Sequence, residues 1–246
     1  MLKFDRVSHS FGGRAALAAV TAEFARGQLV AIVGRNGSGK STLLRIAAGL
    51  LRATSGSAQW HGDDLSKIPP RTRARRIAFV PQQQGIAIDL TVREVVSLGL
   101  VDRLRTAHAR DRVDAALDAV GVGTLATRAF HALSSGERQS CVLARALAQH
   151  EPNGLLVLDE PCANLDPAQT RRVCAALRAC AREGSLVIAA MHDLPIVERV
   201  AQQVLWLDKG SVVAQGKPHD AFQLDTLERV FGCPFERATS STVANL

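Results

Sequence analysis

Gly34-Arg35-Asn36-Gly37-Ser38-Gly39-Lys40-Ser41 decides the fold, because it spells G-x-x-x-x-G-K-[ST] between a strand-like and a helix-like segment. Upstream, Gln28–Val33 reads Q-L-V-A-I-V, an apolar run of strand length. Downstream, Leu43, Leu44, Ile46, Ala47 and Leu50 recur at helical spacing, which predicts a helix over Lys40–Leu50. The residue types follow from phosphate chemistry. Glycines let the backbone curl so that successive N–H groups face phosphate oxygens, and a helix N-terminus adds partial positive charge. Lys40 supplies a mobile point charge for the β- and γ-phosphates, and the Ser41 hydroxyl is a hard oxygen ligand for Mg2+. The nucleotide-binding candidates run from Gly34 to Thr42.

A second half of such a site lies in Leu155-Leu156-Val157-Leu158-Asp159-Glu160-Pro161. An acid at the end of a buried strand costs desolvation unless a cation sits opposite. Asp159 suits the Mg2+ shell, Glu160 can polarise the attacking water, and Pro161 ends the strand. Further continuous apolar runs occur at Ile77–Val80 and Leu186–Met191. Strands apolar at every position are expected where helices cover both faces of a sheet, so the fold class is α/β with a mostly parallel sheet. Between Thr91 and Gln149 the pattern changes to helices, predicted over Val92–Leu100, Arg110–Val120 and Glu137–Ala148. In the second of these Val113, Ala116, Leu117 and Val120 share a face. This stretch reads as a helical insert, about 91–149, within a single domain whose core spans about 1–90 and 150–235. A polar tail follows from 238 to 246, and no internal repeat or long linker is visible.

Composition bounds the partners. The chain has 246 residues, 47% hydrophobic and 22% charged, which fits one large globular domain or two small ones. Its net charge of +7 favours polyanionic partners such as nucleotide phosphates or acidic headgroups. Aromatics are only 4% and Tyr is absent, so the stacking platforms of a single-stranded nucleic-acid binder are missing and no nucleic-acid partner is expected. The basic run Arg71-Thr72-Arg73-Ala74-Arg75-Arg76 reads as a short solvated helix. The longest apolar runs, Ala15–Val20 and Leu186–Met191, have six residues, against the roughly 20 of a spanning helix. Met1–Arg6 carries an acid and does not read as a signal peptide. Five cysteines with no CxxC pair read as reduced thiols rather than a zinc site.

Leu133-Ser134-Ser135-Gly136-Glu137, between the Gly-rich loop and the acidic strand, resembles the LSGGQ or LSGGE signature of ATP-binding cassette (ABC) transporter nucleotide-binding subunits. With it, the likeness covers about residues 2–235. It implies a P-loop NTPase (RecA-like) core, an N-terminal antiparallel β portion and an inserted helical subdomain. It also implies Mg2+ and ATP, the latter as substrate. In this family the signature binds the γ-phosphate of ATP held by a partner subunit, so two chains sandwich two nucleotides head to tail. The same residues also read as the N-cap of an ordinary helix, and both readings can hold.

The remaining family positions follow from the resemblance. Gln82, in Phe79-Val80-Pro81-Gln82, matches the glutamine loop that senses Mg2+ and the membrane subunit, although Gln83 and Gln84 allow a slip of one. Asp166, in Ala163-Asn164-Leu165-Asp166, matches the loop joining the two subunits. His192, in Met191-His192-Asp193, matches the switch histidine at the γ-phosphate, and Phe11 stands where an aromatic stacks on adenine. The implied catalytic set is Glu160, His192 and Lys40, with Ser41, Gln82 and Asp159 at the Mg2+. There are three departures. Ser135 replaces a glycine, with a cost if φ must be positive there. Cys162 replaces Thr or Ser, and Phe11 replaces Tyr.

Thr91-Val92-Arg93-Glu94-Val95-Val96-Ser97-Leu98-Gly99, Ala214-Gln215-Gly216-Lys217-Pro218 and Leu227-Glu228-Arg229-Val230-Phe231-Gly232 are similar to segments of importers for iron chelates, haem and cobalamin. The resemblance then implies a homodimer or equivalent pair on polytopic permease subunits, a periplasmic-type binding protein, and a peripheral place on the cytoplasmic side of the inner membrane. Two other readings stand beside it: an ABC ATPase of another transporter, and a non-transport ABC ATPase acting on nucleic acid or ribosomes. The second usually carries two cassettes or a long coiled coil, and this chain shows neither.

Overall fold

β1 (Leu2–Phe11) and β2 (Arg14–Phe24) form an antiparallel hairpin that turns at Gly12-Gly13 and places Phe11 directly across from Arg14. Both glycines have positive φ, which a two-residue hairpin loop of this hand requires. β3 (Gln28–Val33) enters a second sheet and runs through the Gly-rich loop into α1 (Lys40–Ala47). β4 (Ser55–Trp60) returns to β1, and the two-residue β5 (Asp63–Asp64) completes an antiparallel sheet of order β2-β1-β4-β5. α2 (Pro70–Arg76) leads to β6 (Ile77–Val80). Then come α3 (Val92–Ser97), a 3-10 turn over Leu98–Leu100, α4 (Ala109–Ala119) and α5 (Ser135–Gln149). The chain returns to the second sheet with β7 (Leu155–Asp159), α6 (Pro167–Arg182), β8 (Leu186–Ala190), α7 (Leu194–Val200) and β9 (Gln203–Asp208). It ends with β10 (Ser211–Gly216), α8 (Pro218–Ala221) and α9 (Leu224–Phe231). This computed structural model describes residues 1–82, 89–100, 108–232 and 234, so Gln83, Gln84, Cys233 and the tail from 238 lie outside the described residues.

The second sheet has the order β10-β9-β3-β8-β7-β6 and is parallel except at β10. β3, β6, β7 and β8 are almost wholly apolar because both faces are covered there, whereas the antiparallel edge strand β10 is polar at Ser211 and Gln215 and nowhere fully buried. Alternate residues of a strand point to opposite faces. Leu29, Ala31 and Val33 of β3 and Leu156 and Leu158 of β7 join the core beneath the helices α3 to α6. Val30, Ile32, Leu155 and Val157 join a second core shared with α1 and the antiparallel sheet. Trp206 of β9 packs edge-on against Phe222 and Phe231, with centroids at 5.6 and 5.9 Å, which seats the C-terminal helices on the first of these cores.

Two helix ends depart from the spacing by three residues, and the others by no more than two. α1 stops at Ala47, not Leu50, because Gly49 takes φ 66 and the Leu50 N–H bonds to Arg45 O at 2.8 Å. Leu50, expected on the apolar face, is consequently exposed. The helix predicted over Val92–Leu100 is α-helical only to Ser97 and tightens into the 3-10 turn. α2 buries no residue, as a solvated basic helix should. Among the described residues no helix is long and apolar enough to cross a membrane.

Candidate functional site: a phosphate loop at the carboxyl ends of the parallel strands

An open cleft of about 670 Å3 lies where β3, β7 and β8 end, the edge at which open α/β sheets bind ligands. The residues lining it include Phe11, Asn36, Gly37, Gly39, Lys40, Ser41, Thr42, Gln82, Glu160 and His192. Gly34 and Arg35 line an adjoining hollow with His192. Two glycines of the loop are required by packing as well as by curvature. A Cβ on Gly34, at φ 146, would collide with Leu207 O, and one on Gly39, at φ 104, would lie 2.5 Å from Ala16 O.

Lys40 opens α1 and is 5% exposed; its ammonium donates to Gly34 O at 2.8 Å and Arg35 O at 3.1 Å. Burial lowers its pKa, and the charges of Glu160 and Asp159 work against that shift. Asp159 ends β7 at 2% exposure. Burial raises its carboxyl pKa, Glu160 adds to the rise, and the Ser41 hydroxyl, Lys40 and Arg45 oppose it. Asp159 Oδ1 and Ser38 Oγ are buried without a hydrogen-bond partner among the described residues. A hard divalent cation with a phosphate group suits those orphaned oxygens, since a buried carboxylate oxygen and a hydroxyl are unsatisfied without such company.

Glu160 holds a left-handed backbone, φ 54, which is costly for a residue with a Cβ and persists where the surrounding structure over-determines it. Its N–H donates to Ala190 O at 3.2 Å, and its Oε1 meets His192 Nε2 at 2.5 Å. β7 and β8 are paired neighbours, so the residues just past their ends fall together. On the opposite rim Phe11 is 51% exposed and stands T-shaped to His9 at 4.5 Å. Arg14, Ala15 and Ala16 of β2 also line the cleft and were not anticipated. The available signal was the Phe11-Gly12-Gly13-Arg14 hairpin, which must place residues 11 and 14 on one face.

The segment Leu133–Glu137 is elsewhere. None of its residues is among those lining the cleft. Ser134 is the N-cap of α5 in a full capping box: the Glu137 N–H donates to Ser134 Oγ at 3.3 Å, and the Ser134 N–H donates to Glu137 Oε2 at 2.7 Å. The Ser134 N–H and hydroxyl, both bonded to the Glu137 carboxylate, hold that carboxyl below its usual pKa. Ser135 is the first helical residue and has no positive φ, so the strain allowed for at that position does not arise. Gly136 cannot carry a side chain, because a Cβ there would lie 2.7 Å from Asn164 O and 3.2 Å from Gln169 Oε1. Asp166 is likewise an N-cap, accepting from the Gln169 N–H at 2.7 Å and starting α6.

A glycine-rich loop in a cleft on a parallel sheet, with the capped α5 outside it, is the arrangement that the resemblance to ATP-binding cassettes implied. Residues 17–163 match the ABC transporter family, and the chain belongs to that family. It is an ATPase subunit of the ABC class. It is 37% identical to the hemin import ATP-binding protein HmuV of Rhodopseudomonas palustris (strain BisA53) over 94% of this chain and 87% of that protein. It is 40% identical to the protein of the same name from Nocardia farcinica, over 96% and 82%. Among solved structures, a metal-chelate type ABC transporter in an inward-facing conformation aligns at 26% identity, with a TM-score of 0.81 over 98% of this chain and 92% of that one. A dimeric ATP-binding cassette in a post-hydrolysis state, bound to ADP and Pi, aligns at 27% identity and a TM-score of 0.80, over 89% and 99%.

Proposed function

We propose that two copies of this chain, or this chain and an equivalent, close around two ATP molecules and drive a pair of membrane permease subunits that import haem or a similar iron chelate. The observation that carries the reading is the separation just described. Each chain has a phosphate loop, an acidic strand end and a histidine in one cleft, and a helix N-terminus suited to phosphate outside it. Lys40, the loop N–H groups and the N-terminus of α1 hold the β- and γ-phosphates, while Phe11 stacks on the base. Glu160 takes a proton from the attacking water, and His192, bonded to Glu160, reaches the γ-phosphate. Ser41, Gln82 and Asp159 would hold a Mg2+ ion, whose charge offsets that of the transferring phosphoryl group. The partner's signature turn contributes its serine hydroxyl and helix N-terminus. Closure is favoured because ATP touches both chains only in the closed pair. Asp166 sits in the joining loop, and 91–149 forms the helical part of a single ATPase domain.

Several facts support haem or an iron chelate as cargo: HmuV relatives matched over nearly the whole chain, the metal-chelate transporter neighbour, and the three sequence segments noted above. The setting is then the cytoplasmic face of the inner membrane, with a periplasmic-type binding protein delivering the cargo. Glu160→Gln should keep ATP and trap a stable dimer on size exclusion. A variant that stays monomeric in ATP would remove the two-chain site. For the cargo, a strain lacking the gene should fail to grow with haemin as sole iron source and recover on complementation; undiminished growth would point to another substrate.

A further inference from the structure

Gln139 lies on α5, five residues past the Ser134 cap, and is 8% exposed. A buried amide costs free energy unless its donors are used. Its Nε2 donates to two successive carbonyls of the catalytic corner, Glu160 O at 3.3 Å and Pro161 O at 3.4 Å. Glu160 is the residue held at φ 54, and its side chain and N–H are tied to His192 and Ala190. Its carbonyl also accepts from the Ala163 N–H at 3.2 Å within the turn. A hollow of about 210 Å3 borders the corner, lined by Glu160, Pro161, Met191, His192 and Ile196 among others, so side-chain packing does not enclose the corner on that side. Gly136, one turn before Gln139, meets the same loop at Asn164 O.

We infer that Gln139 is a positioning residue: it fixes the Glu160–Pro161 backbone so that the Glu160 carboxylate meets the attacking water in its own chain's ATP site. The signature helix therefore serves two sites at once. Its tip, Ser134, completes the partner's site, and the side chain of Gln139 sets the base of its own. The inference rests on the two-chain reading of the ATP site and is tested so that the two can fail separately.

The first readout is steady-state ATPase of the Gln139→Met variant, which removes the donors and keeps the volume. kcat should fall at least about tenfold with KM for ATP unchanged, as expected when a catalytic group is misplaced and binding is not. The second readout uses mixed dimers of full-length chains carrying two different affinity tags, assayed by single-turnover phosphate formation so that an inactive site need not reopen. With Gln139→Met and Glu160→Gln on one chain and a wild-type partner, the surviving site keeps its own Gln139 and should react at the rate of the Glu160→Gln/wild-type control. With Gln139→Met on one chain and Glu160→Gln on the other, the surviving site lacks Gln139 and the rate should fall at least about tenfold. Ser134→Ala in the same two arrangements should give the mirror-image pattern, because Ser134 acts on the partner's ATP. Equal losses in both Gln139 arrangements, the reverse pattern or no loss would overturn the positioning role. Failure of Ser134 to reverse would instead overturn the two-chain site. Should Gln139→Met not fold, Gln139→Asn, whose amide is one methylene too short, replaces it.

Discussion

Two helix N-termini in this chain are suited to phosphate, and they are finished in opposite ways. α1 begins after Gly39, which has φ 104 and offers no side-chain cap. Its first residue, the buried Lys40, donates to carbonyls of its own loop. α5 begins after Ser134 in a capping box that satisfies two of its backbone donors reciprocally. The first end leaves backbone donors for a ligand and is backed by the orphaned oxygens of Ser38 and Asp159. The second has its Ser134 and Glu137 N–H groups bonded within the chain before any ligand arrives, and the Ser134 hydroxyl also bonds the Glu137 carboxylate. In the proposed two-chain site, the first end binds the chain's own nucleotide and the second meets a phosphate carried by the partner.

Breaking the first end alone should have the largest effect. Lys40→Ala is expected to lower kcat/KM for ATP by about 10^3-fold, typical for loss of one preorganised charge at a reacting phosphate, with little change in Tm. An ATPase assay beside a melting curve checks both. Breaking the second end should spare binding and damage turnover. Gly136→Ala drives a methyl group against Asn164 O and displaces the signature turn, so hydrolysis should fall by about 10- to 100-fold while the isolated chain binds ATP with unchanged affinity by calorimetry. A parallel loss of affinity would mean that the two ends are not separable.

Two pH experiments sharpen the comparison with smaller effects. Asp159 has its pKa raised in the folded chain, so the folded state holds that proton to higher pH than the unfolded chain does. Its contribution to stability is complete below its ordinary pKa of 3.8 and is lost as pH rises through the raised value. Asp159→Asn should therefore raise the Tm of the nucleotide-free protein at pH 7 while abolishing hydrolysis. At the far end of α5, His150 is the C-cap, bonded to Ser185 Oγ at 2.8 Å. Burial, aided by Arg112, lowers its pKa from 6.5 to about 4. Here the sign is opposite: its stabilisation is present above pH 6.5 and is lost as pH falls towards 4. Melting curves across that interval should show the loss in wild type and a shallower one in His150→Gln.

Much of this was legible from residue order. Four of the five parallel strands were readable because each is a nearly continuous apolar run bounded by Gly, Pro or charge, whereas β9 (Gln203–Asp208) was not read as a strand. Gln28–Val33 and Ile77–Val80 are strands over those bounds, and Leu155 and Leu186 both start theirs. The phosphate loop was readable because its chemistry is local, carried by eight consecutive residues. The end of α1 was not, since Leu50 continues the helical spacing while Gly49 turns the backbone. Arg14 was missed because its place in the cleft depends on the hairpin register. Gln139 was missed because a glutamine in a helix gives no hint of which carbonyls it meets 21 and 22 residues away.

The amino-acid order by itself determined the apolar strand runs, the phosphate loop with its lysine and serine, the acidic strand end and the S-S-G-E helix start, because each depends on neighbours within a few residues along the chain. Tertiary structure alone decided that Glu160 meets His192, that Gly39 is pressed against Ala16 and that the signature helix grips the corner bearing Glu160. Those contacts join segments brought together by sheet register and helix packing, and such long-range geometry leaves no periodic trace in the sequence.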